Sequence, residues 1–127
     1  MSDFNSEHNR AVWFDIPVAD LERAASFYRA VLAIQIHREQ FQGGAFCVLE
    51  HAGGNGGCLI VQASDISAGG ILIYLNVDGR IRDAVQQAQQ RGGRIIEPVH
   101  PIGPHGFRAV ILDCEGNRVA LHSQRDA

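Results

Sequence analysis

Apolar residues cluster first at Val12-Trp13-Phe14-Asp15-Ile16-Pro17-Val18, a β-prone run with one charge inside it. Asp20 follows as a candidate helix N-cap. Apolar residues then recur at Leu21, Ala24, Ala25, Tyr28, Val31 and Leu32, the spacing of one helical face. The order returns further along. Residues 71–77 read as a strand, and Ile81, Ala84, Val85 and Ala88 form a second helical face that Gly92-Gly93 closes. Each helix leads into a short strand (34–38 and 94–97), a turn-rich loop and two more strands.

The two copies can be laid on each other. Val18 and Val77 stand 59 positions apart, and residues 44–61 align without gaps on 106–123 at an offset of 62. Gly54-Asn55 and Gly116-Asn117 hold the same place in both and read as hairpin turns with positive φ. The prediction is therefore an α+β chain of two strand–helix–strand–strand–strand modules in tandem. Module one covers about 11–62, a linker 63–69, and module two about 70–124, within a single domain of 1–127. Each helix covers one face of a curved sheet and leaves the other open. Two modules side by side give an eight-stranded, incompletely closed barrel-like cleft with helices outside.

Composition narrows the function. The 127 residues suit one core, 46% of them apolar. A net charge of −3 excludes the basic excess that nucleic-acid or anionic-membrane partners need. All 11 basic residues are Arg, so no Lys is present for Schiff-base chemistry. No apolar run reaches the ~20 residues of a bilayer span, and MSDFNSEHNR lacks the hydrophobic stretch of a secretory signal. Three cysteines without a CxxC do not make a disulfide scaffold. They read as buried small hydrophobes. These features predict a soluble cytoplasmic protein.

The strings IPVADLERAASFYRAVL and LDCEGNRVALHS resemble the start and end of the vicinal oxygen chelate superfamily. That group includes glyoxalase I, fosfomycin-resistance enzymes, extradiol dioxygenases and bleomycin-resistance proteins. The resemblance spans residues 11 to 124. It implies a glyoxalase/bleomycin-resistance fold, a small-molecule ligand in the cleft and a homodimer. Metal-using members hold a divalent ion through His, Glu or Gln on the first and last strands of the modules. The corresponding positions here are Trp13, Leu72, Ala120 and Cys58. Indole, isobutyl and methyl groups cannot ligate, and one thiol does not make a site for a hard ion. The expectation is no cofactor, with a divalent metal held in an unusual way as the alternative.

If Trp13 faces the cleft, period two puts Asp15, Tyr74, Asn76, Cys58, Ile60, Ala120 and His122 there too. Asp15 is a candidate general base or ligand anchor, or else a carboxylate paired with an Arg or capping backbone N–H groups. His122 is a candidate proton-transfer partner, a displaced metal ligand, or a strand-end imidazole half in solvent. Trp13 and Tyr74 can stack on a planar ligand or fill the core. The Pro/Gly-rich stretch 100–106 reads as a loop over the cleft mouth, with His105 as a ligand contact or gate. His8, His37 and His51 read as surface residues, and the glycines of 53–57 as hairpin geometry. Three functions compete. The first is a metal-free binder of a small aromatic or amphipathic molecule. The second is a lyase, isomerase or dioxygenase using Asp15 and His122, and the third is a purely structural module.

Overall fold

The computed structural model describes residues 8–127, with Phe41 through its backbone alone. Residues 1–7, most of the segment compared with a secretory signal, lie outside the described residues. The first module contains β1 (Asp15–Val18), α1 (Leu21–Leu32), β2 (Ile36–Phe41), β3 (Gly44–Leu49) and β4 (Cys58–Val61). A 3₁₀ turn at Ala63–Asp65 leads to the second module: β5 (Tyr74–Asn76), α2 (Ile81–Gln90), β6 (Arg94–Pro101), β7 (Phe107–Leu112) and β8 (Arg118–Ser123). The strands form two separate four-stranded sheets, ordered β1-β4-β3-β2 and β5-β8-β7-β6, with no closed barrel.

The duplication holds at the level of register. Val48 pairs with Cys58 as Val110 pairs with Ala120, and Asp15 pairs with Cys58 as Tyr74 pairs with Ala120. Those partners keep the offsets of 62 and 59 that the sequence alignment predicts. Asp20 caps α1 as expected, its side chain accepting from the Arg23 N–H at 3.1 Å. Both helices bury the predicted face: Leu21, Ala24, Ala25, Tyr28 and Val31 on α1, and Ile81, Ala84 and Ala88 on α2.

Several boundaries differ from the sequence reading, β2 among them, which covers Ile36–Phe41 rather than 34–38. The first strands are shorter than their apolar runs, because residues before Asp15 and Tyr74 make isolated bonds rather than a ladder. Cys58 N–H donates to the Phe14 carbonyl and Ala120 N–H to that of Ile73. Strand β6 runs to Pro101, so His100 lies in a strand and not in a loop. Proline is tolerated there because β6 is an edge strand whose pairing with β7 shifts register twice. The loop over the cleft is reduced to a 3₁₀ turn, Gly103–His105.

The modules meet on their helical sides. α1 and α2 touch, and Arg80 at the start of α2 donates to the Val31 carbonyl at 2.7 Å, satisfying an orphan group at the end of α1. A single hydrophobic core takes in Val18, Leu59, Leu75, Val77, Ala109, Ile111, Val119 and Leu121 together with both helices. Cys58, Val110 and Ala120 are buried yet fall outside that core. They lie on the other face of each sheet, as strand alternation requires.

Candidate functional site

The face of sheet one turned away from its helix is built around β1 and β4. Asp15 and Cys58 are cross-strand partners, and the thiol donates to Asp15 Oδ1 at 3.2 Å. The Trp13 side chain also reaches the sulfur. Burial, with the Asp15 carboxylate second, pushes the Cys58 thiol up to about 12. The thiolate is thereby suppressed and Cys58 is no nucleophile at neutral pH. Asp15 is exposed, and its partner here is this thiol rather than an Arg or a row of backbone N–H groups. Ile60, two residues along β4, is half-buried on the same face.

The sheet-two counterpart is more polar. Asn76 pairs with His122, His122 with Arg108, and Arg108 with His100, a row across all four strands. Tyr74 is 46% exposed, and its hydroxyl accepts from Arg108 at 2.7 Å. Its ring meets that of His122 edge-on at 6.4 Å between centroids. His122 Nε2 lies 2.6 Å from the His105 carbonyl, so that nitrogen carries the proton. His105 thus enters this region through its backbone, while its side chain is exposed. Ala120 is wholly buried beneath, opposite Tyr74.

Three cavities divide the expected lining. One of about 300 Å³ lies between the modules and brings Asp15 to Ile71, Ile73 and Arg118. A second of about 510 Å³, also between them, joins His51 and Asn55 to Tyr74 and Asn76. Phe14 lines both. A third, about 520 Å³, belongs to module one and includes Cys58 and Ile60. Asp15 and His122 line no common cavity among these, and each hydrogen-bonds to a partner in its own module. Among the described residues no group of three or more His, Cys, Asp or Glu side chains is placed to hold a metal ion.

Sequence reasoning overlooked two parts of this region. His51 is not a bare surface residue. It is half-buried, its Nδ1 lies 2.9 Å from the Gly54 carbonyl, and its ring stands edge-on to Trp13 at 5.8 Å. Arg108 was not singled out in the sequence, and His100 was read as a loop residue. The available signal was the Gly116-Asn117 hairpin turn, about which Arg108 and His122 pair across β7 and β8.

Comparison with known proteins agrees with this architecture. Residues 10–50 match the family model described as bleomycin resistance protein-like N-terminal. A glyoxalase/bleomycin resistance protein/dioxygenase family enzyme from Burkholderia phytofirmans PsJN superposes with a TM-score of 0.69 at 21% identity, covering 87% of this chain and 95% of that one. The chain has the glyoxalase/bleomycin-resistance fold. A glyoxylase/bleomycin resistance protein/dioxygenase domain from Frankia sp. EAN1pec gives 0.71 at 15% identity, with 94% of both chains covered. The genomically encoded fosfomycin resistance protein FosX from Listeria monocytogenes gives 0.68 at 14%, covering 91% of this chain and 93% of its own. No curated protein sequence matches. No helix among the described residues is long and apolar enough to cross a membrane.

Proposed function

We propose that this protein binds a small aromatic or amphipathic molecule on the sheet faces turned away from its helices, without the metal centre used by chelating relatives. The observation that carries the reading is the pairing of aromatic rings with hydrogen-bonding groups on those faces. Trp13, Asp15 and Cys58 supply it on one sheet, and Tyr74, Asn76 and His122 on the other. Such a mix of apolar wall and few polar groups suits small-molecule recognition. The residues present do not fit a divalent ion. Trp13, Leu72 and Ala120 offer no donor atom, and Cys58 keeps its proton up to about 12 while donating it to Asp15. Ile60, Ala120 and His105 complete the proposed lining through packing and backbone.

The lyase, isomerase or dioxygenase alternative needs Asp15 and His122 to share a proton. Each hydrogen-bonds within its own module, which favours binding over catalysis within one chain. We further propose a single domain organised as the two modules, a cytoplasmic location, and a homodimer that covers the outer edges β2 and β6, each paired on one side only. A cleft shared with a second copy is compatible with all of these.

Trp13 is the sole tryptophan, so its emission reports on the first sheet face directly. Saturable quenching by planar aromatic compounds, with far less than one equivalent of metal on elemental analysis, is the expected result. Stoichiometric zinc, nickel, iron or manganese in the purified protein overturns the metal-free reading. Turnover of a hemithioacetal or catechol that Asp15→Asn abolishes overturns the binding reading.

A further inference from the structure

The polar row on sheet two contains one permanently charged group, Arg108, and its surroundings differ from those of several other arginines. Arg23, Arg38, Arg80 and Arg82 each meet a carboxylate at 2.5 to 2.7 Å. Arg108 is instead held by neutral acceptors. One Nη1–H donates to the Tyr74 hydroxyl at 2.7 Å, and Nε–H donates to His100 Nε2 at 3.2 Å. His100 Nδ1 lies 2.8 Å from the Pro98 carbonyl. One proton arrangement satisfies both contacts: His100 is neutral, protonated on Nδ1, and accepts through Nε2. Half-exposed Glu97 forms a loose ion pair with Arg108, its Oε1 3.6 Å from Nη2 and 3.7 Å from His100 Nε2, too long for a hydrogen bond to either. The guanidinium carbon also stands 6.0 Å from the centre of the Tyr74 ring.

Hydrogen-bonding capacity remains after these contacts. The guanidinium has five N–H groups, of which two are used. The Tyr74 oxygen accepts from Arg108, which leaves its own proton to donate. His122 uses Nε2 on the His105 carbonyl, leaving Nδ1 as an acceptor. The Arg108 side chain is 25% exposed, so its planar fork is oriented by its neighbours and remains reachable. A partly desolvated, pre-oriented guanidinium next to a phenol is suited to a planar or tetrahedral anion.

We propose that Arg108, oriented by His100 and joined by the Tyr74 hydroxyl, receives an anionic group of the ligand, a carboxylate or phosphonate. The Tyr74 and His122 rings then contact the apolar part beside it. The inference rests on reading the sheet-two face as ligand-binding, and it narrows that ligand to small organic acids. Nδ1 of His122 can accept from a donor group near the anion, while Asn76, whose Oδ1 takes the Asp78 N–H, has its amide N–H groups to offer an acceptor. Glu97 sets a limit on charge: its carboxylate shares the guanidinium's field, which favours a singly charged ligand over a more highly charged one.

The test uses the full chain and ¹H–¹⁵N spectra that resolve arginine Nε–H signals. Benzoate, phenylphosphonate and the neutral isostere benzamide serve as probes. Both acids are expected to shift the Arg108 Nε–H and the Tyr74 and His122 amides saturably. Benzamide is expected to bind roughly ten- to a hundredfold more weakly, the difference made by a charge-assisted hydrogen bond. Arg108→Gln should remove the preference for acids while leaving benzamide binding in place. Tyr74→Phe, at an exposed hydroxyl, should weaken the acids by severalfold without disturbing the fold. Equal affinity for benzoate and benzamide overturns the anion receptor but leaves an aromatic-binding face standing. So does an acid preference that survives Arg108→Gln. Absence of saturable shifts on sheet two with any of the three probes overturns both this proposal and that face as a binding site.

Discussion

The loop between β3 and β4 and the turn between β7 and β8 occupy the same place in the repeat and do opposite jobs. In the second module Asp113 is buried, 3% exposed, and its Oδ1 accepts from the backbone N–H groups of Glu115, Gly116 and Asn117. Its Oδ2 accepts from the Tyr28 hydroxyl of module one at 2.6 Å. Asn117 donates to the Pro17 carbonyl at 2.7 Å, and Glu115 accepts from Ala19 N–H and from Arg23. The turn thus fastens module two to the start of α1. In the first module the offset of 62 puts His51 where Asp113 stands. An imidazole cannot accept three N–H bonds, so the chain takes a longer path over residues 50–57 and folds back on its own module. His51 packs on Trp13, and Asn55 donates to the Ala11 carbonyl. One acidic residue separates a joint between modules from a wall beside the candidate site.

The glycines follow the same division. Gly116 adopts φ +105, the left-handed conformation expected of the Gly-Asn turn. Its counterpart Gly54 does not, and the positive φ of the first loop falls on Ala52 instead. Gly57 is needed for another reason: a Cβ there would lie 2.5 Å from the Phe14 ring and carbonyl.

Breaking the joint should give the largest effect. Asp113→Ala leaves several buried donors unsatisfied and is expected to cost roughly 3–4 kcal/mol in urea denaturation. A loss below roughly 1 kcal/mol would mean the turn does not hold the modules together. Next comes Gly57→Ala, where overpacking against Phe14 should cost roughly 2 kcal/mol. Gly54→Ala, whose Cβ would meet only an ordinary 3.5 Å contact, should be near neutral. If both alanines cost the same, close packing is not what distinguishes these glycines.

Tyr28→Phe should cost about 1–2 kcal/mol and also alter the pH profile. Burial first, and then Asp113, hold the Tyr28 hydroxyl well above its ordinary 10. Below pH 10 folded and unfolded chains both keep this proton. Above it the unfolded chain releases its proton first, so stability falls as pH rises until the folded hydroxyl itself ionises. The phenylalanine variant should lose that share of the alkaline decline, which denaturation at pH 8 to 11 would measure.

The smallest effect concerns the wall. At pH 8 a thiol held near 12 is thiolate about once in ten thousand molecules, so iodoacetamide should leave Cys58 unmodified in the native protein. Asp15→Asn removes the second cause of that shift and should speed alkylation. An unchanged rate would detach Asp15 from Cys58.

Much of this was legible in the residues. The ungapped match of 44–61 on 106–123 predicted that module two repeats the strands of module one, and period 3.6 with Asp20 predicted α1 and its cap, because both follow from burying one face. Strand alternation grouped Asp15 with Cys58 and Asn76 with His122, which are cross-strand partners in the structure. Arg108 and His100 were missed because their significance lies in a row across four strands, which no single stretch displays. Asp113 was missed because its partner, Tyr28, is 85 residues away.

The order of letters alone settled the duplication and the strand–helix–strand–strand–strand units. Each depends on a residue's own chemistry or on neighbours a few positions off. Tertiary structure decided that the modules join through their helices, that one hairpin binds across modules while its twin folds back, and that Arg108 is steered by Tyr74 and His100. Those outcomes depend on which distant groups satisfy each other's hydrogen bonds, and that is known only once the chain has closed on itself.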